Sequence, residues 1–419
     1  MRSADDVDLG LDWCATDAPG VGGRLKERDE DFRVSERADF PYGEEGKHAV
    51  LRVTLRGYET HEFARDLSDA LGASRRRVSW AGTKDKNAVT TQVFTVADVS
   101  RDEVDGVSVD GASVEYIGRS HHPVALGDLV GNEFEVRLRD ADAPRNADAV
   151  ADGIGEFGGV PNLFGSQRFG SRRPITHLVG ERILDGDFAG AVDAYLVESF
   201  DGEPEATREA RERLAEERDY RDALGYFPGY LGYERALLNA VVEGNDGREA
   251  LEALPHNLRR MFVNAVQSRL FNVVLRERHE AGMRFDRAYP GDTVCFAEAH
   301  DGTRVPDTSN TQRVTESNAD AVNRHVDRGS AYVTAPLVGS GTEFAAGEQG
   351  EIERRVADRL GVSCEGFDRD DGYASEGTRR AILVDPELRY ESDGDDVVFD
   401  FFLPRGSYAT VVLREFTKS

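Results

Sequence analysis

The segment GTKDKNAVTTQ, from Gly82 to Gln92, places one carboxylate, Asp85, between two lysines in a glycine-led turn. The second half of the segment continues as AVTTQVFTV, which is rich in β-branched residues and predicts a strand. Opposite charges nearby favour the ionised form of a carboxylate. The pattern therefore predicts that Asp85 serves as a nucleophile or a base rather than as a proton donor.

Three other interpretations of this segment are open. TKDK is like the guanine-reading motif of GTPases, but the aspartate comes one position early and the chain has no phosphate-binding P-loop. A glycosidase would use two cooperating carboxylates, and the 79 acidic residues make any pairing uninformative. A salt-bridged surface turn is the simplest alternative, since such ion pairs are common and mostly inert. The scarcity of lysine argues against it, because the only lysines are Lys26, Lys47, Lys84, Lys86 and Lys418.

The charge of the chain carries two opposing indications. The formal net charge is -27, whereas proteins that bind nucleic acids usually have a basic surface. Nearly all of the basic charge is arginine, and this composition is typical of a salt-rich cytoplasm. At molar salt the screening length falls to ~3 Å, so the negative charge repels RNA far less than in dilute buffer. An RNA partner therefore stays open, as does a soluble protein without such a partner.

Length and composition exclude several classes of protein. The 419 residues predict two or three domains. Three distant cysteines form no CxxC pair, and the histidines form no HExxH motif, so we expect no disulfides, no zinc and no other metal. The chain lacks both a signal-peptide pattern and an apolar run of ~20 residues. We therefore expect a cytoplasmic protein without a membrane partner, and no obligate protein partner is indicated.

The first third of the chain mixes strand and helix patterns, which predicts an α+β fold. Strands are expected in RLKERDEDFRVSE, HAVLRVTLRG, SVEYIG and NEFEVRLR, and helices in ETHEFARDLSDALG and near Ala143 to Phe157. Residues before Gly23 are polar and are expected to form a loose lead-in.

The pattern changes after the GGVPN turn. Helices are expected over residues 187–199, 205–217, 233–243 and 257–282, so the middle of the chain is predicted to be mainly helical. Near the C terminus, DDVVFDFFLP and YATVVLREF return to strand patterns. Because two strands alone are marginally stable, we expect them to pair with the N-terminal sheet, which makes the middle section an insertion.

Taken together, these segments resemble the TruD family of pseudouridine synthases, whose signature GxKDxxAvTtQ is matched by GTKDKNAVTTQ. The matches run from residue 24 to residue 416, nearly the whole chain, and Leu163 stands where the family often has tyrosine. The other segments that match, in the family's order, are LKERDEDFRVSE, ALGDLVGNEFEVRLR, GGVPNLFGSQRFG, VQSRLFN and FLPRGSYATVVLREF.

The resemblance implies an α+β pseudouridine synthase domain with a mixed β-sheet, and a largely helical inserted TRUD domain. The expected division is a loose lead-in over 1–22, the first part of the catalytic domain over 23–160, the inserted domain over 161–370 and the C-terminal part of the catalytic domain over 371–419.

The resemblance also implies a role for each matched residue. Asp85 would be the catalytic nucleophile or base, and Phe134 would stack on the uracil, since aromatic stacking on a base contributes ~1–3 kcal/mol. Asn132 would orient Asp85 or the base, and Lys26 and Phe32 would support the pocket. From the residues alone, each aromatic could equally be core, Asn132 a turn residue and Lys26 an exposed strand residue.

A second candidate RNA contact lies in GSQRFGSRR, where Arg168, Arg172 and Arg173 stand among glycines and an aromatic residue. Such arginines suit phosphate contact and stacking. The alternative is a surface loop stabilised by ion pairs.

The implied reaction isomerises uridine, at position 13 of transfer RNA, to pseudouridine. It breaks the bond from N1 to the ribose, turns the uracil and rejoins it through C5, and it needs no cofactor. One carboxylate acts by attack on C1′ or by removal of the C2′ proton, and the sequence favours neither route. The nucleotide must be extruded from its stack at a cost of a few kcal/mol. Two other functions stay open: the same chemistry on messenger or ribosomal RNA, and an RNA-binding protein of this fold without catalysis.

Overall fold

The structure, a computed structural model, describes residue 3, residues 7–300 and residues 302–418. The chain divides into two units. Unit 1 comprises Pro161–Phe296 and Asp307–Ile382, with the described residues up to Trp13. Unit 2 comprises Cys14–Val160 and Ala297–Pro306, with the described residues from Leu383 onward.

The strands, in chain order, are β1 (Phe32–Ala38), β2 (His48–Arg56), β3 (Val78–Trp80), β4 (Val89–Ala97), β5 (Ala112–Ser120), β6 (Leu129–Leu138), β7 (Val160–Pro161), β8 (Thr293–His300), β9 (Thr303–Arg313), β10 (Ala331–Leu337), β11 (Thr378–Ala381), β12 (Leu383–Val384), β13 (Arg389–Asp393) and β14 (Asp396–Pro404).

The α-helices are α1 (Thr60–Ala70), α2 (Arg101–Asp105), α3 (Ala147–Phe157), α4 (Thr176–Leu184), α5 (Phe188–Val197), α6 (Glu205–Glu217), α7 (Tyr220–Tyr226), α8 (Gly232–Val242), α9 (Gly247–Leu251), α10 (His256–Glu280), α11 (Ala319–Val326), α12 (Gly347–Arg359) and α13 (Ala409–Thr417). None of the helices in the described ranges is long and apolar enough to cross a membrane.

A mixed sheet of eight strands organises unit 2. Its order is β13-β14-β6-β1-β4-β2-β5, with β3 paired to β4. Strands β1 and β4 run parallel, and the other pairs are antiparallel. Strand β14 pairs with β6 from Val397 to Pro404, so the predicted return of the C-terminal strand to the N-terminal sheet is confirmed. The mixed sheet with its helices confirms the predicted α+β fold class.

Helix α1 covers one part of this sheet. Phe63 and Leu67 lie on its apolar face and are fully buried against Leu51 and Phe94 of the central strands. Burial of side chains of this size stabilises the fold by ~1.5–3 kcal/mol each. Strand β4 is buried along almost its whole length, which places the end of the GTKDKNAVTTQ segment in the core.

Unit 1 has the predicted helices, but it also contains strands that the sequence did not reveal. Four strands form a second sheet in the order β11-β10-β8-β9. Strand β9 is polar, and all of its residues except Val305 are exposed or partly exposed, so it lacks the apolar alternation that predicts a strand. Residues 371–382 belong to unit 1 in this division, since β11 pairs with β10.

The expected strand at the C-terminal end was wrong. YATVVLREF is not a strand but helix α13, because Ala409, Val412, Leu413 and Phe416 recur at helical spacing and are all buried. Contacts are also present in the described part of the lead-in. Within unit 1, the Trp13 ring stacks on His279 with ring centroids 4.5 Å apart.

Candidate active site

Asp85 lies in unit 2 on the loop between β3 and β4, and its side chain is 45 % exposed. The Asn87 amide donates a hydrogen bond to Asp85 Oδ1 at 3.1 Å, which closes a local turn of the kind that aspartate favours. The start of the loop is fixed by Gln92 Nε2, which donates to the Gly82 carbonyl at 3.1 Å. The carboxylate is therefore held in place while Oδ2 stays available to a second partner.

That second partner is Lys26, whose Nζ forms an ion pair with Asp85 Oδ2. Lys26 has a left-handed backbone, with φ of 57°, which is uncommon for a residue other than glycine. Its Nζ also lies 4.3 Å from the centroid of the Phe32 ring, within the range of a cation–π contact. The ammonium group is thus placed between a carboxylate and an aromatic ring, far from Asp85 in sequence.

The two lysines that flank Asp85 have other partners. Lys84 Nζ lies 2.6 Å from Glu36 Oε2, and the two side chains are 8 % and 0 % exposed. Lys86 Nζ lies 3.5 Å from Glu62 Oε2 in an exposed pair. The two flanking lysines are therefore not the counter-charges of Asp85, as the sequence pattern had suggested, because each of them faces a different acid and the contact with Asp85 comes from Lys26.

Glu36 is the central polar residue beneath the loop, and sequence reasoning missed it. Its Oε2 accepts from Lys84, while its Oε1 accepts from the Val93 amide at 3.2 Å. The Lys84 amide in turn donates to Thr60 Oγ1 of α1 at 3.0 Å. Glu36 is the last residue of the matched segment DFRVSE. Its partner Lys84 lies 48 residues further along the chain, so no local sequence pattern reveals the pair.

Three aromatic rings form a row beside the loop. Phe134 of β6 stacks on Phe401 of β14, with ring centroids 5.1 Å apart and planes 18° apart. Phe32 meets Phe134 edge to face at 6.0 Å. Phe32 is buried, whereas Phe134 is only partly buried. Phe134 therefore retains surface for another aromatic partner, and Phe32 is mainly a core residue that carries Lys26.

Two buried polar atoms near this row lack partners. Asn132 Oδ1 and Thr90 Oγ1 have no hydrogen-bond partner within the part of the chain that the structure describes. The register pairs Phe134 with Val34 and Val34 with Thr90, while Asn132 pairs with Glu36, so these side chains share one face of the sheet. A buried polar atom without a partner is costly, and each such case in a native structure calls for an explanation.

The remaining candidate residue, Arg168, lies in unit 1 and makes its contacts there. Its Nε donates to Ser268 Oγ at 3.1 Å, and its guanidinium lies 5.7 Å from the Phe164 ring. The sequence suggested phosphate contact for Arg173, but its guanidinium is bound by partners within unit 1. Its side chain is only 11 % exposed, and its Nη2 donates to the Tyr195 carbonyl at 2.6 Å. Burial lowers the pKa of the Arg173 guanidinium to about 10.

The site is built for carboxylate chemistry. Over the described ranges of the chain, no group of three or more His, Cys, Asp and Glu side chains is arranged to hold a metal ion. What the site offers is an accessible carboxylate oriented by an ammonium group, a partly exposed aromatic face and two unsatisfied polar atoms. An exposed carboxylate with these neighbours suits attack on, or proton removal from, a bound nucleotide.

A carboxylate beside an aromatic face on a mixed sheet is the arrangement that the sequence resemblance implied. The family model described as tRNA pseudouridine synthase D (TruD) matches residues 8–416. The chain is 46 % identical to a protein of Halobacterium salinarum, over 100 % of this chain and 99 % of the relative. It is 48 % identical, with the same coverage, to a protein of Natronomonas pharaonis. Both relatives carry the name "Probable tRNA pseudouridine synthase D".

A solved structure gives the same result. The structure described as "Crystal Structure of the Putative tRNA pseudouridine synthase D (TruD) from Methanosarcina mazei" has a TM-score of 0.85 to this chain and is 41 % identical to it. The similarity covers 100 % of this chain and 99 % of the other. The chain belongs to the TruD family of tRNA pseudouridine synthases.

Proposed function

We propose that the chain isomerises uridine to pseudouridine in transfer RNA, with Asp85 as the catalytic carboxylate. The observation that carries the proposal is the Asp85–Lys26 ion pair, set beside a partly exposed Phe134 ring. Asp85 acts on the ribose, by attack on C1′ or by removal of the C2′ proton. The uracil leaves through N1, turns and rejoins through C5. In the first route the Asp85–C1′ bond breaks as the C5–C1′ bond forms, and in the second Asp85 returns the proton to C2′. A proton then leaves C5 and N1 gains one, so the atoms balance.

The other site residues act on the base in this proposal. Phe134 stacks on the detached uracil and keeps it in the pocket, backed by Phe401. Asn132 Oδ1 and Thr90 Oγ1 take up the hydrogen-bonding groups of the uracil, which would satisfy both buried atoms. Lys26 orients Asp85, and Phe32 supports Lys26. Arg168 of unit 1 contacts the RNA in this proposal. Residues 23–160 and the C-terminal segment from Leu383 form the catalytic domain, and the inserted domain extends from residue 161 to Ile382, where unit 1 ends.

We propose uridine 13 of transfer RNA as the target and a salt-rich cytoplasm as the working environment. The support for the second point is the composition, with 79 acidic residues against 52 lysines and arginines. Relatives from Halobacterium salinarum and Natronomonas pharaonis share this chain's whole length.

One experiment tests the chemistry and the target together. Wild type and Asp85→Asn are incubated with transcribed transfer RNA in concentrated potassium chloride, and pseudouridine is mapped by carbodiimide-stop sequencing. We expect a stop at position 13 with wild type and none with Asp85→Asn. An active Asp85→Asn variant would overturn the mechanism, and modification only at other positions would overturn the target. If both proteins bind the RNA and neither modifies it, the chain is an RNA-binding protein without catalysis.

A further inference from the structure

The aliphatic side chain of Leu126 is exposed to solvent. It is 77 % exposed, in a chain whose net charge is -27. Single exposed apolar residues are common, so the exposure alone decides nothing. Leu126 is the most exposed of the large hydrophobic residues that the described ranges leave at the surface, the others being Tyr42, Tyr230, Tyr233 and Met261.

The turn that carries Leu126 is tightly built. The Asp128 amide donates to the Ala125 carbonyl at 3.1 Å, so residues 125–128 form a β-turn with Leu126 at its second position. Gly127, at the third position, has φ of 98°. A type II turn requires such a positive φ there, and glycine adopts it without strain. The Asp128 carboxylate closes the turn by accepting from the Ala125 amide at 2.7 Å. Leu126 is therefore presented on a fixed backbone.

This turn is attached to the loop that carries Asp85. The Gly127 amide donates to the Ala81 carbonyl at 2.8 Å, and Ala81 directly precedes Gly82. Asp85 follows Ala81 by four positions in the sequence. Since an extended chain spans at most ~3.6 Å per residue, the Cα atoms of Ala81 and Asp85 lie within roughly 14 Å of each other. Bases stack at ~3.4 Å along a strand, so the turn lies within a few nucleotides of the reacting carboxylate.

A basic side chain lies on the same turn. Arg405 follows β14, and its Nη1 donates to the Gly127 carbonyl at 2.9 Å. The Arg405 amide also donates to the Val130 carbonyl at 3.0 Å. The residue is exposed, so its guanidinium has donors available for a phosphate group. The turn thus combines an apolar tip with a guanidinium that can donate hydrogen bonds to a phosphate. An element that enters a stack of nucleotides needs both features.

We propose that Leu126 inserts into the base stack of the RNA beside the target uridine and fills the gap left when that uridine is extruded towards Asp85. The inference rests on the proposed function and adds the element that opens the stack. Extrusion costs a few kcal/mol of lost stacking, and apolar side chains that wedge between base steps offset this cost in other nucleic-acid complexes. Arg405 holds the adjacent phosphate while Leu126 enters.

The test compares single-turnover rates of pseudouridine formation on two RNAs. One is the transfer RNA transcript, and the other is the same RNA with an abasic nucleotide next to the target, which has no neighbouring base to separate. Leu126→Ala should lower the rate roughly tenfold or more on the normal transcript, as expected from the loss of leucine burial. On the abasic RNA the two proteins should differ little. Leu126→Met should recover most of the rate, because it keeps an apolar tip.

Met261→Ala serves as the matched control, since Met261 is an exposed apolar residue on α10 and is expected to change neither rate. An equal loss on both RNAs, or no loss on either, would overturn the role of Leu126 and leave the proposed function intact. A wild-type protein that forms no pseudouridine on the normal transcript would overturn both. Circular dichroism of each variant separates a folding defect from a loss of rate, and Leu126→Met keeps the test valid if Leu126→Ala is unstable.

Discussion

Glu36 Oε2 lies 2.6 Å from Lys84 Nζ in a buried ion pair, and Lys84 is the residue immediately before Asp85. The second oxygen of Glu36 accepts from the Val93 amide of β4. One carboxylate therefore links strand β1, strand β4 and the loop that carries the proposed catalyst. The pair fixes the loop from below, whereas Asp85 itself is partly exposed.

Removing one member of this pair should cost both stability and rate. Glu36→Leu leaves the Lys84 ammonium buried without its partner, which typically costs about 3–5 kcal/mol. The double variant Glu36→Leu/Lys84→Met should regain most of that stability, because an apolar replacement of a buried pair is often neutral. Its kcat should nevertheless stay low, since a displacement of ~1 Å in a reacting group can cost ~100-fold. Urea unfolding and single-turnover kinetics measure the two effects.

Lys86→Met is the matched control for that experiment, because Lys86 flanks Asp85 on the other side but pairs with Glu62 at the surface. An exposed pair contributes about 0–1 kcal/mol, so this variant should change stability little. A double variant that recovers full kcat along with its stability would show that the buried pair has no part in positioning Asp85.

Lys26→Met should separate function from stability in the opposite way. The Lys26–Asp85 pair is partly exposed, so its removal should change the free energy of unfolding by no more than about 1 kcal/mol. The rate should fall strongly because Asp85 loses the group that orients it. Lys26→Arg should restore only part of the rate, since the planar guanidinium cannot reproduce a point charge over the Phe32 ring. Unchanged single-turnover rates in Lys26→Met would contradict the role assigned to Lys26.

Phe134→Ala should weaken action on RNA through the loss of base stacking. Stacking of one base contributes ~1–3 kcal/mol, which corresponds to a fall of roughly 5- to 150-fold in kcat/KM. Phe134→Tyr keeps the ring and should retain most of the activity. Because Phe134 also packs on Phe401, the melting temperature of each variant must be measured alongside. Equal kcat/KM for the alanine and tyrosine variants at matched stability would rule out stacking.

The sequence predicted the sheet of unit 2 well because its strands carry strong local patterns. It failed at α13, where Val411 and Val412 suggested a strand although the burial of the helical face prevails over their β preference. It also missed the second sheet, since β9 is too polar to show alternation. Both errors arise where packing against distant parts of the chain determines the local structure.

The site was predicted unevenly for the same reason. Asp85, Lys26 and Phe134 stand in motifs that resemblance identifies, and the structure brings them into one unit. The partners could not be read from the sequence. Lys84 and Lys86 looked like the counter-charges of Asp85, but the acids that bind them lie on β1 and α1. Likewise, the buried and unpartnered Thr90 Oγ1 becomes visible only once β4 is placed against β1.

Acid should weaken unit 2 through Asp31. The Arg139 guanidinium donates to both Asp31 carboxylate oxygens, and the Arg28 amide donates to Oδ2. These bonds hold the pKa of Asp31 below the usual 3.8. A lowered pKa in the folded state contributes stability above the unfolded pKa and loses it as pH falls through the folded one. Asp31→Asn should therefore be less stable than wild type at pH 7, and the difference should shrink below about pH 4.

Urea unfolding from pH 7 to pH 3 measures this effect. Asp29→Asn provides the control, as Asp29 lies in the same 3-10 turn before β1 without the Arg139 contact. A constant difference between Asp31→Asn and wild type across that range would show that the Arg139 bonds do not couple Asp31 to folding.

Stability and activity should both depend on salt because of the net charge of -27. Acidic self-repulsion disfavours the compact state, and it is screened as the Debye length shortens from ~10 Å at 0.1 M to ~3 Å at 1 M salt. Pseudouridine formation should therefore be lost below a few tenths molar potassium chloride, together with the folded signal in circular dichroism. RNA binding through counterion release weakens with salt instead, so a protein limited by binding would show the opposite trend. Full activity in dilute buffer would contradict adaptation to a salt-rich cytoplasm, whereas parallel loss of fold and activity would support it.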